Sequence, residues 1–164
     1  MTVTPPTVST VEFTLEELAE ATGGRVVGDA RGVAGVGIDT RVLVPGSLFV
    51  ALVADRDGHE YLAAAAERGA AAALVRDAGR LPEGLPAVVV EDTDVALADL
   101  GRLARDRVPG ERVVGVTGSV GKTSVKDLAA AALRGEHSVH ASERSFNNEL
   151  GVPLTLANAP AGVE

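Results

Sequence analysis

The sequence predicts an α/β fold in two parts, a small N-terminal α/β domain followed by the first part of a second domain built on a parallel sheet. Short apolar runs, typical of buried strands, alternate with longer segments that have the spacing of amphipathic helices. A proline and a glycine at 109 and 110 separate one such helix from the next apolar run. We therefore divide the chain into a flexible tail at 1–10, a first domain at 11–108 and an incomplete second domain at 110–164.

The first domain is predicted to open with a helix and to continue as alternating strands and helices. Thr14 and Glu17 have capping-box spacing, and the pair Gly23 and Gly24 ends the helical pattern. Apolar runs bounded by polar residues, glycine or proline predict the remaining elements. These are strands at 25–28, 36–39 and 48–52, a helix at 59–68, strands at 72–75 and 87–90, and a helix at 94–107.

The second part of the chain is predicted to begin as a strand, a glycine-rich turn and a helix. The strand covers 113–117 and the helix 122–134, with a further strand at 138–141 and a short helix at 151–157. A P-loop-type parallel sheet begins with elements in this order. Such a sheet needs more strands and covering helices than the sequence supplies before Glu164, so we expect this domain to be truncated.

Composition restricts the possible functions. The chain has no cysteine, which excludes disulfides, thiolate catalysis and cysteine-bound zinc. A net charge of −8 and only four aromatic residues disfavour nucleic acid as a partner, because nucleic-acid binding needs a basic surface and stacking platforms. No apolar run reaches the length of a membrane span, and residues 1–7 lack the pattern of a secretory signal. We expect a soluble, cytoplasmic protein with no membrane insertion.

The turn before the helix at 122–134 has the composition of a phosphate-binding loop. Its residues are Thr117, Gly118, Ser119, Val120, Gly121, Lys122, Thr123 and Ser124. Glycines let backbone N–H groups turn towards an anion, the lysine supplies a cation for the outer phosphates, and Thr123 is placed to bind Mg²⁺. The generic P-loop pattern requires glycine where Val116 stands, so the match rests on the shorter run. The alternative is a glycine turn with a solvated lysine.

Three stretches, in the order expected, resemble segments of the Mur ligases, the ATP-dependent amide-bond formers of peptidoglycan synthesis. The first combines Asp-Thr-Arg at 39–41, the run at 45–52 and Asp-Gly-His at 57–59. The second is the phosphate-binding loop, in which Val120 stands where many relatives have asparagine. The third, at 145–156, resembles the MurF branch more than the MurE branch. The resemblance runs from about Phe13 to Leu156, which is nearly the whole chain.

The resemblance implies an ATP-dependent ligase that adds D-alanyl-D-alanine to UDP-N-acetylmuramoyl-tripeptide through an acyl phosphate. ATP and Mg²⁺ are then bound by the loop, with Lys122 and Thr123 as catalytic residues. The UDP-bearing substrate is implied to meet Thr40, Arg41, Asp57, Gly58, His59, Asn147 and Asn148. The family's other catalytic groups would follow Glu164, so the isolated chain is expected not to turn over. A monomeric full-length enzyme is expected.

Residue type alone leaves simpler roles open for these substrate-site candidates. Asp39 and Arg41 also suit a turn with a surface salt bridge. Asp57 suits a helix cap, with His59 as a partly buried polar residue. The asparagine pair at 147–148 suits a turn that caps the next helix.

Two other functions remain open at this level. One is a non-catalytic module that binds a UDP-sugar or a nucleotide, and the other is a MurE-like ligase that adds a single amino acid. No transition-metal site is predicted, because His137 and His140 have the spacing of ligands but no third ligand nearby, and we interpret both as ordinary surface histidines.

Overall fold

The computed structural model describes residues 12–29, 32–108, 112–142 and 149–163. The strands are β1 (Glu12–Phe13), β2 (Arg25–Val27), β3 (Val33–Ala34), β4 (Val36–Gly37), β5 (Leu48–Val50), β6 (Ala72–Val75) and β7 (Ala87–Val89). The helices are α1 (Leu15–Thr22), α2 (Leu62–Glu67), α3 (Thr93–Asp106), α4 (Lys122–Leu133) and α5 (Gly151–Ala157). Short 3-10 helices lie at Gly58–Tyr61 and Ala78–Arg80. None of these helices is both long and apolar enough to span a membrane.

Five strands form one sheet in the order β2-β7-β6-β5-β4, and β1 pairs separately with β3. The strands from β4 to β7 are parallel to one another, whereas β2 runs antiparallel to β7 at the edge. Carboxyl ends of parallel strands meet at one edge of a sheet, and ligands of open α/β folds bind there. The polar loops that follow β4, β5 and β6 therefore share the edge where a site is expected.

Alternating side chains of the strands divide the core into two layers. Leu48, Val50 and Leu74 belong to a buried cluster with side chains of α1, α3 and α5. Phe49 and Val75, one residue out of phase, belong to a second cluster that includes α2. Because both faces of the parallel strands are covered, their sequences are continuously apolar rather than alternating.

The first helix begins and ends as predicted. Thr14 Oγ1 accepts from the N–H of Glu17 at 3.1 Å, and Glu17 Oε2 accepts from the N–H of Thr14 at 2.8 Å. Gly23, at φ 64°, ends the helix in the left-handed conformation. Glu17 also binds Arg107 Nη2 at 2.7 Å, and the Arg107 guanidinium lies 4.5 Å from the centre of the Phe13 ring. The capping box thus also ties α1 to the end of α3.

Helix α5 packs against α3, in the layer formed by the first part of the chain. Ala157 of α5 is fully buried and Ala159 is 4% exposed. Gly101 of α3 faces Pro153 of α5 so closely that a Cβ at 101 would lie 2.7 Å from Pro153 Cα. The segment after 149 therefore shares a core with residues before 108, and the division of the chain at 108–110 stays a prediction.

The mixed α/β fold with a parallel sheet is confirmed, and β6 has the predicted bounds. The helix predicted at 59–68 consists of a 3-10 turn followed by α2. The strands predicted at 113–117 and 138–141 are wrong, since neither run has regular structure. A strand is held by hydrogen bonds to a neighbouring strand, and no described strand lies beside either run. The two-residue strands β1 and β3 were not predicted.

Candidate functional site

The turn at 117–121 leads directly into α4 and presents its backbone to solvent. Gly121, the N-cap of α4, has φ 82°, and Gly118 has φ 147°, values at which a side chain would be strained. No side chain caps α4, so no capping side chain accepts from the N–H groups of its first turn. These donors and the positive end of the helix dipole form an environment suited to an anion.

Lys122 folds back over this turn. Its Nζ donates to the carbonyl oxygen of Gly118 at 2.5 Å, and the side chain is half-buried. Thr123 and Ser124 follow in the first turn of α4 with exposed side chains. An ammonium group, a hydroxyl and a set of backbone donors therefore lie at one helix end, which is the donor set that a nucleotide's phosphates and their Mg²⁺ require. Val120 is 93% exposed, so its side chain takes no part in holding the turn.

Asp39 and Arg41 form a tight pair just after β4. Arg41 Nε and Nη2 donate to the Asp39 carboxylate at 2.9 and 2.6 Å, and the backbone N–H of Arg41 donates at 2.9 Å. The Arg41 guanidinium holds the pKa of Asp39 well below its usual range, at about 2. The Arg41 side chain is 86% exposed, so this is the turn with a surface salt bridge named above as the alternative. Thr40 lies half-buried between them, and Nη1 of Arg41 is not used in the pair.

Asp57 caps the 3-10 helix after β5. Its carboxylate accepts from the backbone N–H of His59 at 3.0 Å, from His59 Nδ1 at 2.6 Å and from Arg80 Nη1. These bonds, first the one from the His59 backbone, lower the pKa of Asp57 to about 2. Gly58 has no room for a side chain, because a Cβ there would lie 2.6 Å from the carbonyl oxygen of Leu52. The loop geometry alone thus accounts for the identities of Asp57 and Gly58.

His59 is buried, with 6% exposure, and both its ring nitrogens are bonded. Nε2 lies 3.0 Å from the backbone N of Arg76 and 3.3 Å from that of Asp77, so it must act as acceptor. The proton of a neutral imidazole is then on Nδ1, which donates to Asp57. His59 therefore joins the loop after β5 to the loop after β6. Asp57 is thus the cap named above as the alternative, whereas His59 is buried rather than partly buried.

The structure brings the candidates at 40–41 and 57–59 to one sheet edge but does not bond them to the loop at 117–124, which is predicted to bind phosphate. Thr40, Arg41, Asp57, Gly58 and His59 all follow parallel strands at their carboxyl ends. Among the described residues, no hydrogen bond or ion pair joins this group to the loop at 117–124. In the same residues no three histidine, aspartate or glutamate side chains are grouped so as to hold a metal ion.

Asn147 and Asn148 lie outside the described residues, and the structure gives no account of them. The chain is described again from Glu149, and α5 begins at Gly151. His140, interpreted above as a surface histidine, is half-buried, and its Nε2 lies 2.9 Å from the carbonyl oxygen of Thr155 in α5. That bond helps to hold the segment before 142 against α5.

Three residues that sequence reasoning did not single out help to build the site region. Arg80 pairs with Asp57 across two loops, and Gly101 sets the approach of α5 to α3. Asn158 bonds the backbone of β4 over a separation of 122 residues. Their partners are distant in the sequence and are set only by the folded chain, so no local pattern could have identified them.

Comparison with known sequences gives consistent matches. The Mur ligase middle domain family matches residues 116–164. UDP-N-acetylmuramoyl-tripeptide--D-alanyl-D-alanine ligase of Escherichia coli K12 is 40% identical over 147 residues, which cover 89% of this chain and 32% of that protein. The protein of the same name from Bacillus subtilis 168 is 36% identical over 159 residues, covering 94% and 35%. The chain thus spans about a third of the length of the curated relatives it matches.

Solved structures give the same result. The fold matches a crystal structure of MurF from Acinetobacter baumannii with a TM-score of 0.81 and 26% identity, over 95% of this chain and 35% of that one. MurF ligase from Thermotoga maritima, solved in complex with ADP, matches with a TM-score of 0.65 and 31% identity, over 79% of this chain and 30% of that one.

Proposed function

The chain belongs to the Mur ligase family, and from this premise we propose that it is part of an ATP-dependent ligase of peptidoglycan precursor synthesis. The reaction proposed is the addition of D-alanyl-D-alanine to UDP-N-acetylmuramoyl-tripeptide, the activity in the names of the curated relatives. Those names also favour this activity over a MurE-like addition of one amino acid. The single observation on this chain that carries the proposal is the turn at 118–121, at the N-terminus of α4, with the Lys122 ammonium bonded to the Gly118 carbonyl.

The nucleotide-binding part of the proposal rests on this turn. Residues 117–124 bind the phosphates of ATP through backbone N–H groups, and Lys122 exchanges its bond to the Gly118 carbonyl for the β- and γ-phosphates. This exchange needs only a side-chain rotation, because the ammonium already lies at the turn. Thr123 supplies a hydroxyl for Mg²⁺, which when bound offsets charge on the phosphate oxygens. The complex of the Thermotoga maritima relative with ADP supports a nucleotide in this family's fold.

In the proposed chemistry a carboxylate of the tripeptide attacks the γ-phosphorus of ATP, and ADP leaves. The amine of D-alanyl-D-alanine then attacks the acyl phosphate, and phosphate leaves. Lys122 and the loop donors stabilise the negative charge that develops on the phosphoryl oxygens during the first step. In-line transfer needs further cations, so we propose that the isolated 164-residue chain binds nucleotide without turnover.

The substrate-binding part of the proposal concerns the edge loops. Thr40 and the Nη1 side of Arg41 contact the UDP part of the substrate, while Asp57, Gly58 and His59 hold the adjoining loop in shape. A guanidinium suits bidentate contact with phosphate oxygens, and its bond to Asp39 fixes its orientation. Asn147 and Asn148 are proposed to bind sugar or pyrophosphate oxygens through their amides.

We further propose the organisation and setting of the protein. Residues 11–108 act as the UDP-substrate domain and 110–164 as the beginning of the ATP domain, after a flexible tail at 1–10. The full-length enzyme is a cytoplasmic monomer without nucleic-acid partners, in keeping with the charge of −8. Size-exclusion chromatography with light scattering tests the monomer, and limited proteolysis tests the division near 109.

The nucleotide site is tested by titrating ADP against the chain and its Lys122→Ala variant. Loss of a charge-assisted hydrogen bond, about 1.5–3 kcal/mol, predicts a decrease in affinity of about 10- to 100-fold. Arg134→Ala is the matched control, because it removes the same charge from the other end of α4. Equal affinities of the parent and Lys122→Ala would refute the phosphate-binding role of the turn.

The substrate site is tested in the same way with UDP as probe. Arg41→Gln is expected to weaken UDP binding about tenfold or more, since it removes one charge-assisted contact. Arg68→Gln serves as control, because Arg68 is an exposed arginine between α2 and β6, at the amino end of that strand. If both variants bind UDP like the parent, the edge loops are not the UDP site.

A further inference from the structure

The side-chain amide of Asn158, at the C-terminal end of α5, pairs with the backbone of β4. Its Oδ1 accepts from the N–H of Val36 at 2.9 Å, and its Nδ2 donates to the carbonyl of Val36 at 2.9 Å. Nδ2 also donates to the carbonyl of Leu154 at 2.8 Å. A flipped amide would set Nδ2 against the N–H of Val36 and Oδ1 against the carbonyl oxygens of Val36 and Leu154, so this network fixes the orientation of the side chain.

This pairing satisfies the outer side of an edge strand. β4 has a neighbour, β5, on one side only. Leu48 of β5 donates to the carbonyl of Gly35, whereas both backbone groups of Val36 point away from β5 to Asn158. An edge strand of two residues has little to hold it beyond its one neighbour. Asn158 therefore supplies to β4 the donor and acceptor that a further strand would provide.

Asn158 is carried by an element that is itself fixed. Ala157 is fully buried in the core, and Pro153 lies against Gly101 of α3. His140 bonds the Thr155 carbonyl of the same helix at 2.9 Å. The position of Asn158 is thus set mainly by the packing of α5 on α3, in addition to its bonds to β4.

The strand that Asn158 holds leads straight into the proposed UDP loop. β4 ends at Gly37, and Asp39–Arg41 follow after one residue. We propose that Asn158 is a positioning residue, which fixes β4 and through it the loop that carries Thr40 and Arg41. It contacts no proposed ligand group and acts by setting where the Arg41 guanidinium lies. This inference rests on the proposed UDP site at residues 39–41.

The bonds of Asn158 to Val36, called the clamp below, join α5 to the strand that leads into the proposed UDP loop. The clamp thus gives the UDP loop a fixed place relative to α5. It predicts that weakening the Asn158 bonds alters UDP binding but leaves nucleotide binding at 117–124 unchanged.

The test compares Asn158→Asp with Thr155→Val. An aspartate keeps the acceptor for the Val36 N–H but loses the donor, and it sets a carboxylate oxygen against the Val36 carbonyl. Thr155→Val removes a hydroxyl that bonds the Gly151 carbonyl inside α5, at 2.8 Å, and leaves the clamp intact. Each variant is titrated with UDP and with ADP, and hydrogen exchange is followed at the amides of residues 36–41.

For Asn158→Asp we expect UDP affinity to fall about tenfold, ADP affinity to stay within error, and exchange at Val36 and Arg41 to accelerate. Thr155→Val should match the parent in all three. Unchanged UDP affinity and unchanged exchange in Asn158→Asp would overturn the proposal, as would a parallel fall in ADP and UDP affinity, which a general loss of structure would give. If Asn158→Asp does not fold, Asn158→Ala, which adds no charge, carries the same comparison.

If the proposed UDP site is wrong, the titrations give a different result. A parent chain that does not bind UDP would refute the substrate part of the proposed function. Hydrogen exchange at residues 36–41 would then still decide whether Asn158 holds the loop, because that measurement needs no ligand.

Discussion

The contact between Gly101 and Pro153 allows a prediction about how α5 is held. A Cβ at position 101 would lie 2.7 Å from Pro153 Cα and 2.8 Å from Pro153 Cβ. Carbon atoms in contact are about 3.5–4.0 Å apart, so α5 would have to move by about 1 Å. Since the nearest atom belongs to the backbone, no side-chain rotation relieves the overlap.

The expected cost follows from this displacement. Overpacking of a closely packed core costs about 1–3 kcal/mol. A gap of about 1 Å opened elsewhere in the α3–α5 contact would also remove up to about half of the dispersion energy of each atom pair there. Gly101→Ala recovers about 1 kcal/mol of helix propensity, which leaves about 0–2 kcal/mol of destabilisation. Gly101→Val adds two more carbons and recovers less propensity, so we expect about 2 kcal/mol or more.

The assay is thermal unfolding followed by circular dichroism, because the chain has no tryptophan and a single tyrosine. For a domain of this size, 2 kcal/mol corresponds to a decrease in Tm of about 4–8 °C. The control is Val95→Ala, a change on the exposed side of the same helix, which should leave Tm unchanged or raise it. A Gly101→Val variant that unfolds at the parent's temperature would refute the close approach of α5 to α3.

Other perturbations have equally definite outcomes. His59→Phe keeps the volume but removes the acceptor for two backbone N–H groups, and denaturant unfolding should show a loss of about 1–3 kcal/mol; no loss would mean that the Nε2 bonds are not formed. Thr14→Ala removes the α1 cap and should cost about 1 kcal/mol in the same assay, whereas Thr14→Ser should cost less. The pKa of Asp39, about 2 in the folded protein, lies below its usual unfolded value of about 3.9. Its bond to Arg41 therefore stabilises the fold above pH 4, and this contribution is lost as the pH falls towards 2. Asp39→Asn should show a shallower decrease in Tm over this interval, and an equal slope would contradict the pairing.

The elements that the sequence predicts correctly are those that local interactions determine. The capping box of Thr14 and Glu17 and the apolar run at 72–75 are local patterns, and both are formed as predicted. The runs at 113–117 and 138–141 have strand-like composition but no strand beside them among the described residues, so they remain irregular. β-propensity describes how well a residue fits into a sheet, but a strand forms only where a neighbouring strand is present to pair with it.

The same distinction applies to the candidate site. The phosphate-binding turn is local, so its glycines, its lysine and the following helix could be predicted together. The contact of Asn158 with Val36 joins residues 122 positions apart and has no local signature. Neither a hydrophobic pattern nor a motif distinguishes Asn158 from any other asparagine at the end of a helix.

In the proposed UDP site, the Asp-Gly-His run at 57–59 would be a motif that marks the site without contacting the ligand. Gly58 is required because the Leu52 carbonyl leaves no room for a side chain, Asp57 because it caps the turn, and His59 because it accepts from two backbone N–H groups. Each identity is explained by the shape of the loop, and the buried ring of His59 has no nitrogen left for a substrate. In the proposed UDP site, direct contact with the ligand is therefore expected from exposed groups, first of all the Arg41 guanidinium. It follows that substitutions in the motif should lower UDP affinity together with stability, whereas Arg41→Gln, which removes one exposed ion pair, should lower UDP affinity with only a small loss of stability.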